Sequence, residues 1–340
     1  MRTAVIGAGS WGTAVAWLLG GKGVDVTLWA RRSQIAEGIN REHGNPLFLK
    51  DIVLDPRVQA TSDMERAIHG AEAVVIVTPS HGVRGVAEQM SSTLGATVPV
   101  VNLAKGVEQG SLMRMTQVLE DVLGHRERLA ALSGPNHAEE VSKGVPSATV
   151  VAAYAEGVGR FLQDMFMTPF FRVYTNPDVI GVELGGASKN VVAVAAGMSD
   201  GLGYGDNTKA TLMTRGLAEM SRLGTHLGAN TLTYMGLAGM GDLIVTCTSR
   251  HSRNRALGEW VATGGTVESY GAETHMVAEG AKSAVALDDL AHSIGMELPI
   301  THQVRAILYE GHSPSEAGTI LMGRSAADEL HGMELVEDEG

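Results

Sequence analysis

Short apolar runs rich in β-branched residues alternate with longer segments of helical spacing through the first half of the chain. The runs predict strands at residues 3–6, 24–29, 73–77, 98–102, 129–133, 147–152 and 171–174. Between them, apolar residues recur at helical intervals, as at Ala14, Leu18 and Leu19. Strands and helices that alternate in this way predict βαβ units and therefore a mostly parallel sheet.

The pattern changes after Asn176-Pro177-Asp178, where strand-like runs become rare. Helical patterns rich in Ala, Leu and Met follow, with predicted helices at 182–198 and 209–227. We therefore predict an α/β protein with an N-terminal Rossmann-type, mostly parallel sheet and a C-terminal all-α domain. The predicted bounds are 1–178 for the sheet domain, 179–330 for the helical domain and 331–340 for an acidic tail.

Composition restricts the classes of partner and the compartment. The 340 residues, 44% of them hydrophobic, can bury the cores of two domains. The formal net charge of -12 argues against a nucleic-acid partner, because binding phosphates requires clustered Lys and Arg. A single cysteine, Cys247, permits no intramolecular disulfide. The sequence shows no signal-peptide pattern, and its apolar runs, such as 191–196, are far shorter than the roughly 20 residues that span a bilayer. We therefore expect a cytoplasmic protein without membrane insertion.

A glycine-rich turn, Gly7-Ala8-Gly9-Ser10-Trp11-Gly12, follows the first predicted strand and opens a helix. This is the context in which GxGxxG binds a dinucleotide. Gly7 permits the tight turn, Gly9 admits the pyrophosphate, and Gly12 lets the helix pack closely on the strand. The helix N-terminus then offers free N–H groups to phosphate. The alternative is a simple strand-to-helix turn.

Arg31 and Arg32 follow the second strand, where an NAD-preferring site usually carries an acidic residue for the ribose 2′-hydroxyl. Paired arginines could instead bind a 2′-phosphate. We therefore expect that NADPH is accepted alongside NADH, the alternative being a solvated pair at a helix start.

Three charged residues occupy unusual positions. Lys105 lies just past a buried strand, so its ammonium group would point toward a ligand crevice. Lys189 lies in a patch of small residues early in a long helix, and Asp242 offers a carboxylate that could orient a lysine. Solvated lysines remain the alternative on these residues alone.

These segments together resemble the NAD(P)-dependent glycerol-3-phosphate dehydrogenase family. The matching blocks occur in the family's order from residue 5 to about residue 310. They are Gly7-Ala8-Gly9-Ser10-Trp11-Gly12-Thr13-Ala14, Ala104-Lys105-Gly106, Ser133-Gly134-Pro135, Gly186-Ala187-Ser188-Lys189-Asn190, Gly239-Met240-Gly241-Asp242-Leu243, and Cys247-Thr248-Ser249 followed by Ser252-Arg253-Asn254.

The resemblance implies that NAD(P)H reduces dihydroxyacetone phosphate to sn-glycerol 3-phosphate, which supplies phospholipid synthesis, in a cleft between the two domains. It implies that Lys189 is the general acid/base, and that Lys105 and Asp242 position the substrate's oxygens and this lysine. Ser252, Arg253 and Asn254 resemble the family's phosphate-binding turn. An N-cap with a solvated arginine is the other interpretation of that turn.

The resemblance also implies which residues contact each ligand. Beside the glycines, the cofactor set is Ser10, Trp11, Arg31, Arg32, Phe48, Lys105, Ala138, Arg253, Val277 and Glu279. The substrate set is Lys105, Gly134, Asn136, Lys189, Asp242, Ser252, Arg253 and Asn254. The chain departs from the commonest family pattern at Asn136-His137, which puts the polar contact there in doubt. His137 is a less favoured acid/base candidate, and Cys247 is interpreted as a packed residue.

Two other classes of protein remain as alternatives. A 3-hydroxyacid dehydrogenase or a ketopantoate reductase would also use a helix-borne lysine, but would not need the phosphate-binding turn. A non-catalytic dinucleotide sensor would explain the glycines and leave Lys105, Lys189 and Asp242 without a role. None of the 12 histidines forms HExxH or a comparable ligand spacing, so we expect no metal site. Apolar stretches in the helical half favour a homodimer.

Overall fold

The computed structural model describes residues 1–274 and 277–325, and the chain divides into two compact units. The first unit is Met1–Glu183, and the second begins at Leu184. This division falls inside the helix Val179–Gly201, whereas the sequence places the domain boundary at the start of that helix. The predicted acidic tail, 331–340, lies outside the described residues.

The first unit contains an eight-stranded sheet in the order β3-β2-β1-β4-β5-β6-β7-β8. The strands are β1 Arg2–Ile6, β2 Asp25–Trp29, β3 Val58–Thr61, β4 Ala73–Ile76, β5 Val100–Asn102, β6 Leu129–Ser133, β7 Ser147–Ala153 and β8 Phe171–Asn176. β1 to β6 pair in parallel, β7 is antiparallel to β6, and β8 is parallel to β7. The predicted mostly parallel, Rossmann-type sheet is confirmed.

The sequence missed β3, the edge strand. Its four residues, Val-Gln-Ala-Thr, contain no continuous apolar run. The strand exists because β2 offers it a parallel partner, with Val26 opposite Val58 and Leu28 opposite Ala60. Pairing to an existing strand supplies backbone hydrogen bonds that no local pattern records.

Helices cover both faces of the sheet and bury its alternating side chains. They are α1 Ser10–Gly21, α2 Ser33–Glu42, α3 Met64–Ile68, α4 Val83–Met90, α5 Met115–Leu123, α6 Ala138–Val141 and α7 Glu156–Phe166. One core contains Val5 of β1 with Leu19 of α1. The other contains Ile6 of β1 with Met90 of α4. Burial on both faces explains why the strands are apolar throughout.

The second unit is helical over the residues that the structure describes. Its helices are α8 Val179–Gly201, which begins in the first unit, α9 Asp206–His226, α10 Asp242–Thr248, α11 Arg253–Ala262, α12 Val267–Thr274, α13 Glu279–Ser293, α14 Pro299–Tyr309 and α15 Pro314–Met322. The predicted helices at 182–198 and 209–227 correspond to α8 and α9. The all-α second half is thus confirmed.

Helix α8 is long and apolar enough to cross a membrane by length and composition alone. The sequence analysis considered only continuous apolar runs, and those are much shorter than a membrane span. In α8 the apolar residues are interspersed with Gly, Ala and Ser. In the folded chain, 94% of its most apolar window is buried inside the protein. Such burial is also typical of the core helix of a globular protein.

A buried carboxyl group, Glu219 of α9, supports the start of α14. Its two oxygens accept hydrogen bonds from the backbone N–H groups of Ile300 at 2.6 Å and Thr301 at 3.3 Å. These groups lack partners within their own helix. Burial is the main cause that raises the pKa of Glu219, to about 7, while the N–H groups act in the opposite direction.

We expect Glu219→Gln to change how stability depends on pH. Because burial raises the pKa of Glu219 from an ordinary 4.5 to about 7, the folded state binds this proton more tightly than the unfolded state. Its stabilising contribution is therefore fully present below about pH 4.5 and is lost as the pH rises through about 7. Urea unfolding of both proteins should show the wild type losing roughly 3 kcal/mol relative to the variant between these limits. Parallel stability curves would contradict the assignment.

Candidate active site

The carboxyl ends of five parallel strands, β1, β2, β4, β5 and β6, lie at the same edge of the sheet. Several predicted site residues lie within three residues of these ends: Gly7 after β1, Arg31 after β2, Lys105 after β5, and Gly134 after β6. The strand order reverses between β1 and β4, and open α/β sheets bind ligands at such a point. The fold therefore gathers one part of the predicted site at this edge.

The glycine-rich turn has the geometry that the sequence predicts. Gly7 has a φ of +124°, and a Cβ there would meet the Val77 carbonyl oxygen at 2.9 Å. A Cβ on Gly12 would lie 1.8 Å from the Gly7 oxygen, so only glycine lets α1 pack this closely on the turn. A Cβ on Gly9 would meet nothing within 4 Å. Open space over Gly9, together with the start of α1, fits a dinucleotide pyrophosphate.

Asn45 holds this turn in place, and the sequence analysis did not identify it. Its amide nitrogen donates to the Ala8 carbonyl at 3.0 Å and to Thr13 Oγ1 at 2.8 Å. Its side-chain oxygen accepts from the backbone N–H of Phe48 at 3.1 Å. The loop that carries Phe48, a predicted cofactor contact, is therefore fixed to the glycine-rich turn. Asn45-Pro46 in a loop gives no local indication of this tertiary role.

Arg31 and Arg32 are exposed where β2 ends and α2 begins. Neither side chain makes a hydrogen bond or ion pair with another residue in the part of the chain that the structure describes. Ser10 and Trp11, in the first turn of α1, are partly exposed, and Ala138 is buried at the start of α6. Two guanidinium groups at this position fit either a 2′-phosphate or solvent.

Lys105 joins the ends of two neighbouring strands. Its Nζ donates to the Gly134 carbonyl at 3.1 Å and to Asn136 Oδ1 at 3.3 Å. The Asn136 amide in turn donates to Thr149 Oγ1 at 3.2 Å. Asn136 therefore provides an oxygen acceptor for the lysine at the position where the chain departs from the family pattern.

In the second unit, Lys189 of α8 forms a buried ion pair with Asp242 of α10. Nζ lies 2.9 Å from Asp242 Oδ1, and only 7% and 2% of the two side chains are exposed. Nζ also donates to Thr246 Oγ1 at 2.7 Å, and that hydroxyl donates to the Asp242 backbone oxygen at 2.6 Å. The structure thus excludes the solvated alternative for Lys189. Thr246 is a further member of the group that sequence reasoning missed.

A π-helical turn over Leu237–Gly241 leads directly into α10 and places Asp242 at its first position. Turns of this kind are rare and occur frequently at functional sites. Cys247, one residue after Thr246, is fully buried, and burial raises the pKa of its thiol to about 12. The interpretation of Cys247 as a packed residue rather than a nucleophile agrees with this environment.

The predicted phosphate-binding turn, Ser252-Arg253-Asn254, begins α11. Ser252 is the N-cap, and its Oγ accepts from the Arg255 backbone N–H at 3.2 Å. Arg253 is exposed in the first turn and makes no side-chain hydrogen bond with another described residue. The N-cap interpretation is therefore correct for Ser252. An exposed guanidinium group beside a helix N-terminus can bind an anion.

Asn254 connects three helices. Its amide nitrogen donates to Asn190 Oδ1 at 2.8 Å, and its oxygen accepts from the Gly280 backbone N–H at 2.8 Å. A Cβ on Gly280 would lie 2.5 Å from the Asn190 carbonyl oxygen, so glycine is needed for this close approach of α8 and α13. At α13, Glu279 is half-buried and Val277, just before the helix, is 39% exposed. The contact places Asn190, the neighbour of Lys189, against Asn254, the neighbour of Arg253.

Two family descriptions match almost the whole chain. The NAD-dependent glycerol-3-phosphate dehydrogenase N-terminus matches residues 2–158, and the C-terminus of the same enzyme matches residues 178–319. Together they cover both units of the structure.

Individual proteins give the same result. A glycerol-3-phosphate dehydrogenase [NAD(P)+] from Anaeromyxobacter dehalogenans is 48% identical over 97% of this chain and 100% of its own length. The crystal structure of glycerol-3-phosphate dehydrogenase from Coxiella burnetii is 35% identical, with a TM-score of 0.91 over 95% of this chain and 99% of that one. A ketopantoate reductase from Ralstonia eutropha, 18% identical with a TM-score of 0.63 over 94% of this chain and 100% of that one, shares the fold alone. On this evidence the chain belongs to the NAD-dependent glycerol-3-phosphate dehydrogenase family.

Proposed function

We propose that this chain is an NAD(P)H-dependent dehydrogenase that interconverts dihydroxyacetone phosphate and sn-glycerol 3-phosphate. The observation that carries the proposal is the 2.8 Å hydrogen bond between Asn254 and Asn190. Lys189 and Arg253 are the chain neighbours of these two residues. The bond therefore fixes the position of Lys189, the proton donor, relative to Arg253, the anion-binding group. A substrate whose ketone and phosphate are only a few bonds apart requires such a fixed arrangement.

Lys189 acts as the general acid in the reduction. When bound, NAD(P)H supplies a hydride to the C2 carbon of the ketone. Negative charge then develops on the C2 oxygen, where the Lys189 ammonium stabilises it and donates a proton. Asp242 and Thr246 hold Nζ through contacts of 2.9 and 2.7 Å and so fix its direction. In the reverse reaction the neutral amine accepts the proton from the C2 hydroxyl.

Arg253 binds the substrate phosphate together with Ser252 and the start of α11. A guanidinium group can donate two parallel hydrogen bonds to phosphate, and a helix N-terminus adds backbone N–H donors and a favourable dipole. Asn254 belongs to the predicted substrate set, but both ends of its amide are engaged with α8 and α13. We therefore assign its side chain to positioning Arg253 rather than to direct recognition.

Lys105, with Gly134 and Asn136, contributes a second positive charge at the sheet edge. Its hydrogen bonds to the Gly134 carbonyl and Asn136 hold the ammonium group at the carboxyl ends of β5 and β6. We propose that it binds substrate oxygens and contacts the cofactor there. Because Asn136 both accepts from Lys105 and donates to Thr149, it fixes this lysine rather than transferring a proton.

The test is the loss of nicotinamide absorbance when purified protein is mixed with dihydroxyacetone phosphate and NADH or NADPH. We expect rapid oxidation with the phosphorylated substrate and little with unphosphorylated dihydroxyacetone. A 3-oxoacid and ketopantoate, which the alternative enzymes would reduce, serve as negative controls. No oxidation by a folded protein that still binds NADPH would overturn the proposal and return attention to those alternatives and to a sensor.

The exposed pair Arg31 and Arg32 is proposed to bind the 2′-phosphate of NADPH, with NADH accepted as well. We expect Arg31→Ala/Arg32→Ala to lower kcat/KM for NADPH by about 10- to 100-fold, since charge-assisted hydrogen bonds contribute about 1.5–3 kcal/mol. The value for NADH should change by less than about threefold, because NADH lacks that phosphate. Arg41→Ala, on the exposed end of α2, is the control. Equal losses with both cofactors would assign the pair to the shared part of the nucleotide, and no loss with either would assign it to solvent.

We further propose that the enzyme works in the cytoplasm as a homodimer and supplies glycerol 3-phosphate for phospholipid synthesis. The single cysteine supports a reducing compartment. Exposed apolar side chains in the helical unit support self-association, among them Leu232 at 68% and Met235 at 65%. A monomer mass of 35.7 kDa from sedimentation equilibrium at micromolar concentration would contradict the dimer.

A further inference from the structure

Two helices of the second unit bring together three metal-ligating side chains that belong neither to the Lys189 group nor to the turn at Arg253. Asp288 and His292 are four residues apart on α13, and His302 lies on α14. Residues four apart share one face of a helix, so Asp288 and His292 point the same way. One ligand atom from each of the three residues lies within 4.8 Å of the others. The sequence analysis did not find this group because no spacing along the chain links α13 to α14.

The distances are close to those of a metal site. Nδ1 of His302 lies 3.3 Å from Asp288 Oδ2, and Nδ1 of His292 lies 3.6 Å from Asp288 Oδ1. Two ligands at about 2.0–2.1 Å from a tetrahedral ion are roughly 3.3 Å apart. The His302 separation already has this value, whereas the His292 ring must reorient to bind an ion.

The imidazole rings have the freedom to make these movements, since the side chains of His292 and His302 are 66% and 48% exposed. Nδ1 of His292 also lies 2.8 Å from the Asp288 backbone oxygen. Ring rotation, or binding through Nε2, is therefore required at His292. Exposure on one side also leaves room for water to complete the coordination.

The carboxylate, by contrast, is fixed. Only 3% of the Asp288 side chain is exposed, and Arg305 Nη1 lies 3.1 Å from its Oδ2. The same guanidinium group has a shorter contact with Asp289, at 2.6 Å, and its Nε lies 3.3 Å from Glu310. Three carboxylates thus share one guanidinium group. Carboxylates that bind metal ions directly are commonly held by a hydrogen-bond donor in this way.

We propose that Asp288, His292 and His302 bind one divalent transition-metal ion of the Zn²⁺ type, with water in the open coordination positions. Two imidazoles and one carboxylate favour Zn²⁺, Co²⁺ or Ni²⁺, whereas Ca²⁺ and Mg²⁺ prefer sites made of oxygen ligands alone. This proposal is independent of the dehydrogenase activity, because none of the three residues belongs to the catalytic or phosphate-binding groups.

The ion would connect α13 to α14. The N-terminus of α13 is already fixed, since Gly280 donates its N–H to Asn254. The N-terminus of α14 is fixed by Glu219. A metal ion held by both helices adds a link in the C-terminal half of α13. Because the ion binds only the folded state, it raises the free energy of unfolding of the protein by mass action.

The test uses the full-length chain, free of any affinity tag and stripped with EDTA. Titration with Co²⁺, followed by its visible absorption and by competition with Zn²⁺, measures the number of sites and their affinity. We expect one saturable site per chain and a rise in Tm with Zn²⁺. His292→Gln and His302→Gln should each weaken binding by at least about tenfold, because loss of a direct ligand exceeds the effect of an outer-shell change. Mg²⁺ at the same concentration should not compete.

His226→Gln is the matched control, because His226 is exposed in the last turn of α9 and has no part in the group. It should bind Co²⁺ as the parent does. Circular dichroism and Tm of the metal-free variants establish that each is folded. The proposal is overturned if the parent shows no saturable site, or if the His292→Gln/His302→Gln double variant retains the parent's affinity.

Discussion

Replacing Lys189 with methionine is expected to lower kcat for dihydroxyacetone phosphate reduction by about 10³-fold or more. A general acid contributes about 10²–10⁴-fold, and loss of a charge that stabilises the developing oxyanion costs a similar factor. Methionine has nearly the length of lysine and suits a residue that is 5% exposed. Stopped-flow or steady-state absorbance at saturating substrate measures the loss.

The interpretation depends on separating chemistry from folding. Lys189→Met leaves Asp242 buried without its ionic partner, which destabilises the second unit. Lys189→Met/Asp242→Asn removes that unpaired charge, so it should be more stable than the single variant and equally inactive. NADPH binding, followed by its fluorescence, should stay within about threefold of the parent. Lys143→Met, an exposed lysine of the first unit, is the activity control. Turnover within tenfold of the parent would remove Lys189 from the mechanism.

Arg253→Ala is expected to raise KM for dihydroxyacetone phosphate by about 10- to 100-fold, with a smaller change in kcat. The guanidinium group is exposed at the first turn of α11 and would contact a phosphate present in both ground and transition states. Uniform binding of this kind affects KM more than kcat, and a charge-assisted hydrogen bond contributes about 1.5–3 kcal/mol. Steady-state kinetics across substrate concentration measures both constants.

Two comparisons make the Arg253 result specific. The slow reduction of unphosphorylated dihydroxyacetone should be nearly unchanged in Arg253→Ala, since that substrate offers no phosphate. Arg250→Ala removes an exposed arginine three residues earlier and should behave as the parent does. If Arg253→Ala keeps the parent's preference for the phosphorylated substrate, the turn at Ser252-Arg253-Asn254 is only a helix start.

The site was only partly predictable from its own residues. Lys189 and Asp242 are separated by more than fifty positions, and composition alone favours solvent for a lysine. The family resemblance supplied the pair, and the 2.9 Å contact gives it a physical basis. Thr246, Asn45 and the bond between Asn190 and Asn254 were not predicted, because a neutral hydroxyl or amide has no preferred spacing that would indicate its partner.

The sequence by itself determined the alternation of strands and helices, the change to an all-α second half, and the glycine-rich turn. These follow from local properties: β-branched runs, helical periodicity, and the need for glycine where a Cβ would meet backbone at 2.9 or 1.8 Å. Only the tertiary structure decided the edge strand β3, the burial of Lys189 against Asp242, and the meeting of Asp288 and His292 with His302. Each of these depends on side chains or backbone groups from separate elements, and packing of the whole chain, rather than any local preference, brings them within bonding distance.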